Sequence, residues 1–272
     1  MSISTDNWLA CLHQQAEDAK LSHLDLLIDA TNFDHPLLSS IGALEPPVQL
    51  ALLFHGTPEA NLADIGPTLL RLSRHAHTHL SWLRDLLSGQ DWHSHLLALL
   101  SPWEFTALSQ HLRHGTQAEW NAGKACGLLR YYDPRLFMAA SDMLSPQQSR
   151  WFHAPVLAWH WLDRDHVACS LPGNHARHAQ VPDPLPRLSL SREQIASLQA
   201  WSAAEDYRRR WAIQPQDYGF AKQESLVRHL VHAQLSANRE ALHAIEQRDA
   251  FIRNWLATNS PRVNQAKTGG PA

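Results

Sequence analysis

Apolar residues run along this chain in two rhythms. At 6–19, Trp8, Leu9, Leu12 and Ala16 recur on one helical face, and Asp6 is placed to cap that helix. At 23–30 the run His-Leu-Asp-Leu-Leu-Ile-Asp-Ala is short and bounded by polar residues, which suits a buried strand. Pro36–Ile41 reads as a short helix. Val48–Phe54 reads as a strand that stops at His55-Gly56-Thr57-Pro58, residues with turn chemistry. Pro67–Leu72 is a third strand, and helical spacing returns over 76–88 with Leu80, Leu83 and Leu87 aligned. After the apolar run His95–Leu100, Ser101-Pro102-Trp103-Glu104 predicts a helix start, with Ser at the cap and Pro in the first turn. Lys124–Tyr132 is a strand that ends at Asp133-Pro134, and a helix covers 134–143. Pro155–Leu162 and His166–Leu171 form a hairpin around Asp163-Arg164-Asp165. Strands alternating with helices up to residue 171 predict an α/β lobe whose mixed sheet is at least partly parallel, with helices flanking it.

The rhythm changes after that. Residues 172–190 hold Pro172, Gly173, Pro182, Pro184 and Pro186 and read as a proline-rich linker. Ser191-Arg192-Glu193-Gln194 is a capping box. The helix it opens carries Ile195, Leu198, Trp201, Ala204, Tyr207 and Trp211 on one stripe. A second helical stretch begins near Phe220, with Leu226, Val227, Leu230, Val231 and Leu235, and continues through Leu242, Ile245, Phe251, Ile252, Trp255 and Leu256; a break near Asn238 is left open. The organisation expected is an α/β lobe over 1–171, the linker 172–190, a small all-helical lobe over 191–258 and a disordered tail over 259–272.

Charge and composition narrow the function. The net charge is −3; residues 1–190 hold 12 Lys/Arg and 18 Asp/Glu, net −6, and residues 191–272 hold 11 and 8, net +3. Neither part concentrates the basic charge that a phosphate backbone needs, so nucleic acid is not the expected partner. The three cysteines, Cys11, Cys126 and Cys169, are far apart and without CxxC spacing, which argues against a disulfide framework or a thiolate zinc site and for a reducing compartment. Cys126, next to Gly127 in an apolar strand, reads as a buried, inert thiol. The N-terminus lacks a basic region followed by an apolar core, and no apolar run is long enough to span a bilayer, so a soluble, cytoplasmic protein without membrane contact is expected.

Candidate chemistry is sparse. His75, His77 and His79, with His93 and His95, invite a metal reading. No HExxH is present, no carboxylate stands at a ligand spacing beside them, and the 19 histidines are scattered along the whole chain; they read as solvated or internally satisfied, with no metal or cofactor expected. There is no GxSxG elbow and no Gly-rich phosphate loop. A hydrolase or transferase would need a site assembled only by the fold. Among the 11 tryptophans, those of the helical lobe are candidates for partner contact, and Trp201, Tyr207, Trp211 and Trp255 are singled out for that role.

Two local patterns stand apart. Gly56-Thr57-Pro58-Glu59-Ala60 is followed by Asp64-Ile65-Gly66-Pro67. Arg130-Tyr131-Tyr132-Asp133-Pro134-Arg135 sits at a strand-to-helix junction where Asp133 can cap the next helix and Pro134 can take its first position. With the strand at 24–30, the apolar strand at 94–102, the helix holding His111-Leu112-Arg113 and Leu136 after the second pattern, the chain over roughly 24–145 resembles the type VI secretion effector-adaptor family (Tap/TEC), catalogued as domain of unknown function 4123. The resemblance implies an α/β N-terminal lobe and a variable helical C-terminal lobe. It further implies a non-enzymatic cytoplasmic chaperone that binds a secreted effector and helps deliver it to the spike protein VgrG. Gly56, Thr57, Pro58, Arg130, Tyr132, Asp133, Pro134 and Arg135 carry the match, either as partner contacts or as structural residues. The family defines no catalytic set, so none is expected here.

Overall fold

Three leucine-rich runs meet as neighbouring strands because each is too apolar to face water on either side. They are β1 (His23–Asp29), β3 (Pro67–Ser73) and β4 (Leu96–Leu100). The structure, a computed structural model, describes residues 3–31, 37–89, 92–174 and 187–261, without the side chain of residue 93. Residues Met1–Leu190 and Ser191–Ala272 form two units.

In the first unit β2 (Gln49–Leu52), β7 (Ala158–Leu162) and β8 (Ala168–Pro172) complete a six-stranded sheet in the order β2-β3-β1-β4-β7-β8. Every pair in it is antiparallel, which corrects the expectation of parallel pairing in this sheet. The reason is that β1 lies between β3 and β4. These two run the same way and are joined through the helix α3 (His77–Ser88), so the strand–helix–strand signal is real but the unit is split by an intervening antiparallel strand. The parallel pairing falls in a smaller sheet, β6-β5-β9, where β5 (Gln117–Trp120) runs parallel to β9 (Leu188–Ser189) and antiparallel to β6 (Ala125–Leu128).

Period-two alternation gives the large sheet two apolar faces. Leu24, Leu26, Ile28, Leu70, Leu72, Leu96, Ala98 and Leu100 pack with α1 (Thr5–Asp18) and α3 through Trp8, Leu9, Leu12, Ala16, Leu83 and Leu87. On the other face Trp159 and Trp161 meet an aromatic group. Trp159 lies 4.9 Å from Phe137 of α5 (Pro134–Asp142), 6.1 Å from Phe152 of α6 (Pro146–Phe152) and 6.3 Å from Tyr131, ring centre to ring centre. Asp25 points into this second face, fully buried, and is held by two hydrogen bonds of 2.7 and 2.8 Å from Arg71. Burial pushes the Asp25 carboxyl up and the Arg71 guanidinium opposes it.

Several local expectations shift. Ser4, not Asp6, caps α1 through its side chain. The short helix expected from Pro36 is α2 (Leu37–Gly42), and Pro36 itself lies outside the described residues. The helix expected from residue 101 is α4 (Phe105–Gly115). The Ser101 hydroxyl is engaged elsewhere, donating to the Pro155 carbonyl at 2.6 Å and accepting from the Trp103 amide, so it holds the entry loop instead of the helix start. The strand expected over 124–132 ends at Leu128, where the Leu129 amide turns to the Thr116 carbonyl. Of the segment read as a linker, Pro172 belongs to β8 and Leu188–Ser189 form β9, while 175–186 lie outside the described residues.

The second unit begins with the capping box at Ser191, whose side chain accepts from the Gln194 amide while the Gln194 side chain returns to the Ser191 amide. The unit consists of α7 (Arg192–Arg210), α8 (Gln223–Arg239) and α9 (Ile245–Asn259); the open break after 238 falls between the last two. Ala200, Ala204, Tyr207, Leu226, Leu230, Ile252 and Leu256 form its core. The Arg248 guanidinium ties α9 to α8 through the Gln234 and Asn238 side chains and the Gln234 carbonyl. Of the tail expected over 259–272, residues 262–272 lie outside the described residues. Among the described residues no helix is long and apolar enough to cross a membrane.

Candidate functional site

The Gly56 turn is built by its own residues. Gly56 takes φ +77°, a left-handed value that favours glycine. The Thr57 hydroxyl donates to the Phe54 carbonyl at 2.9 Å and accepts from the Glu59 amide at 3.2 Å. The Glu59 carboxylate in turn accepts from the Gln117 side chain at 2.9 Å, which fastens the turn to β5.

Between this turn, one face of α4 and the small sheet lies a groove of about 400 Å³, open on one side and mostly apolar in its surface. Gly56, Thr57 and Pro58 form one wall. Gln110, Arg113 and His114, spaced to share a face of α4, form the second. Gln117, Ala118, Glu119 and Cys126 form the floor, and Arg187, just before β9, closes the end. The cross-strand pairs Gln117–Leu128 and Glu119–Cys126 place those four side chains on one face of the small sheet, where Leu128 is 37% exposed. Arg187 stands 3.6 Å from Glu119, the one carboxylate among the described groove residues. Among the described residues the buried Arg113 Nε has no hydrogen-bond partner.

Cys126 is exposed in this groove, which corrects its reading as a buried thiol. β6 is an edge strand of a small sheet, so one of its faces stays open where a central strand would have both covered. The strand β5, absent from the sequence reading, is what makes the floor. Its signal was the alternation Gln-Ala-Glu-Trp ahead of Asn121-Ala122-Gly123, a turn in which all three residues take positive φ.

The second pattern stands apart from the groove and forms a brace. Asp133 is 2% exposed and caps α5, accepting from the Arg135 amide at 3.0 Å. The Arg135 Nε and Nη2 reach its two oxygens at 2.8 Å each. Arg130 stands 3.3 Å from Asp133 and 3.7 Å from Asp29 at the end of β1, so one guanidinium joins strand and helix. Pro134 fills the first position of α5. Tyr132 is buried and meets Phe54 edge to face; burial first, and the Asp29 charge second, push its hydroxyl well above the ordinary tyrosine range. The chemistry of this cluster is that of a structural tie between β1, α5 and the segment leading into the Gly56 turn.

The four aromatic residues of the helical unit are spread in depth. Tyr207 lies inside the core, Trp201 and Trp255 are partly buried against it, and Trp211 is 50% exposed. The Trp211 indole donates to Asp249 at 3.4 Å, and the Arg253 guanidinium lies over its ring at 5.3 Å.

The histidines of the 75–95 region do not converge. His79 is buried: its Nδ1 accepts from the Ser73 amide at 3.0 Å, so Nε2 carries the proton given to the Pro46 carbonyl at 2.6 Å. His75 and His77 are exposed, and the His93 side chain lies outside the described residues. Among the described residues no three His, Cys, Asp or Glu side chains gather as a metal-ligating group.

Residues 26–150 match the family model described as a domain of unknown function, DUF4123. The match covers the Gly56 turn, α4, the floor of the groove and the Asp133 brace. No curated protein and no solved structure matches the chain.

Proposed function

We propose, from the DUF4123 domain that residues 26–150 carry, that this protein is a non-enzymatic adaptor and chaperone: in the cytoplasm it binds a type VI secretion effector and helps load it onto the VgrG spike. The family match is the observation that carries the reading, since DUF4123 is associated with type VI effector adaptors. The groove supports it. A mostly apolar, one-sided trough with a few polar groups suits a length of polypeptide better than it suits enclosing a small substrate. Trp211, half-exposed beside Arg253 in the helical unit, is a second surface of the residue types that anchor protein partners.

The reading is tested by isolating the tagged protein from its native cells and identifying its partners by mass spectrometry. One toxin-like effector and a spike protein at near-stoichiometric amounts are expected. Recovery of neither, from cells that express both, refutes it.

A further inference from the structure

We infer that the groove beside the Gly56 turn binds an extended apolar segment of a partner protein by pairing a carboxylate of that segment with Arg113. Among the described residues two guanidiniums, Arg113 and Arg187, line the groove against a single carboxylate, Glu119, and that carboxylate faces Arg187 at 3.6 Å. Among the described residues Arg113 is left as the uncompensated cation of the groove, and its Nε is buried without a hydrogen-bond partner. The planar fork of arginine matches a carboxylate with two parallel hydrogen bonds, and Arg113 lines the groove where such a carboxylate would lie.

The apolar requirement comes from the surface around it. Pro58, Ala118 and Cys126 line the trough, and Leu128 stands exposed on the same sheet face. Gln110 and Gln117 supply amide groups for a backbone lying along it. The neighbouring carboxylate Glu59 is already held by Gln117 and by the Thr57 turn, so it does not compete for Arg113. The sequence of 1–190 carries net −6, so the field of this unit does not draw an acidic partner from afar. The selectivity is local, and the pairing affects how long the segment stays more than how fast it arrives.

That the segment belongs to a secreted effector rests on the adaptor reading; that the groove prefers an acidic, apolar segment does not. The full-length protein is therefore challenged with a display library of random short peptides. The enriched peptides are expected to carry Asp or Glu next to apolar residues. They should bind the Arg113→Gln protein roughly tenfold more weakly or worse, and Arg113→Lys should restore part of the loss. In a Cys11→Ser/Cys169→Ser background the bound peptide should shield Cys126 from alkylation, which locates it in the groove without touching Arg113. An absence of enriched peptides, enrichment without acidic residues, equal binding by Arg113→Gln, or an unshielded Cys126 overturns the inference. If these fail while the effector and spike are still recovered from cells, the groove assignment falls and the adaptor reading stands. If peptides bind as expected and neither partner is recovered, the reverse holds.

Discussion

Phe54 and Tyr132 meet edge to face, with ring centres 6.0 Å apart and planes at 78°. The contact joins the two patterns that set this sequence apart, the turn at Gly56 and the brace at Asp133. Behind the Phe54 ring stands Gly66: a Cβ there would lie 2.4 Å from Phe54 Cδ2. The glycine of Asp64-Ile65-Gly66-Pro67 is thus the space in which Phe54 sits, and the ring has Tyr132 on another side.

Gly66→Ala is therefore expected to displace Phe54 and destabilise the first unit by about 1–3 kcal/mol, the usual cost of forcing a methyl into a filled core. Urea unfolding measures it. An unchanged midpoint would show that the ring moves aside freely.

Asp133 both caps α5 and anchors Arg135 and Arg130. Asp133→Ala removes the cap and the two-oxygen anchor of Arg135, while Arg130 keeps Asp29, so a loss of about 1–2 kcal/mol is expected. Asp133→Asn keeps an acceptor for the Arg135 amide and should lose less. Equal losses for the two substitutions would contradict this assignment.

Asp25 and Arg71 form a pair whose acid is wholly buried. Arg71→Met leaves the buried Asp25 carboxylate with the His23 ring, 3.6 Å away, as its remaining basic neighbour and should cost about 3–5 kcal/mol at neutral pH, whereas Asp25→Leu/Arg71→Met together should recover most of it. With the cation gone, burial raises the Asp25 carboxyl further. Its contribution is then present below the unfolded carboxylate range and lost as pH rises, so the single variant should be relatively more stable in acid. Melting curves at neutral and mildly acidic pH separate the two variants; a double variant as weak as the single one would refute the account.

His111, His153 and His160 are buried, and burial lowers each from 6.5 to about 4. Their folded values lie below the unfolded one, so the unfolded chain binds more protons between those limits. Stability is full above pH 6.5 and declines as pH falls towards 4, by at most about 1.4 kcal/mol per pH unit for each histidine. His160→Leu should flatten the decline. A melting temperature that stays level from pH 7.5 to about 5 would contradict the neutral, buried state of these rings.

The legible parts of the fold were those where one face or both faces are apolar over several residues. The stripe Trp8, Leu9, Leu12, Ala16, the runs of β1, β3 and β4, and the Asp163 hairpin could be read from spacing alone. Pairing direction could not, because a strand's side chains say what covers it and not which neighbour it takes; β1 inserting between β3 and β4 is a long-range choice. The groove was half legible. Gly56, Thr57 and Pro58 stood out as a turn, but Arg113, Glu119 and Cys126 lie in a different stretch of the chain, and their meeting with that turn depends on a four-residue strand too short to announce itself. The brace at Asp133 was visible as a cap, while its link to Asp29, about a hundred residues earlier, needed the fold.

The claim on which the function rests is that an effector depends on this protein to reach the spike. It is tested most directly by deleting the protein from cells that fire their secretion system and following the effector and the spike protein in the medium. The adaptor account predicts that the effector disappears from the medium while the spike protein is still released, and that the intact chain restores it. Undiminished release of every effector in the deletion strain would contradict the account.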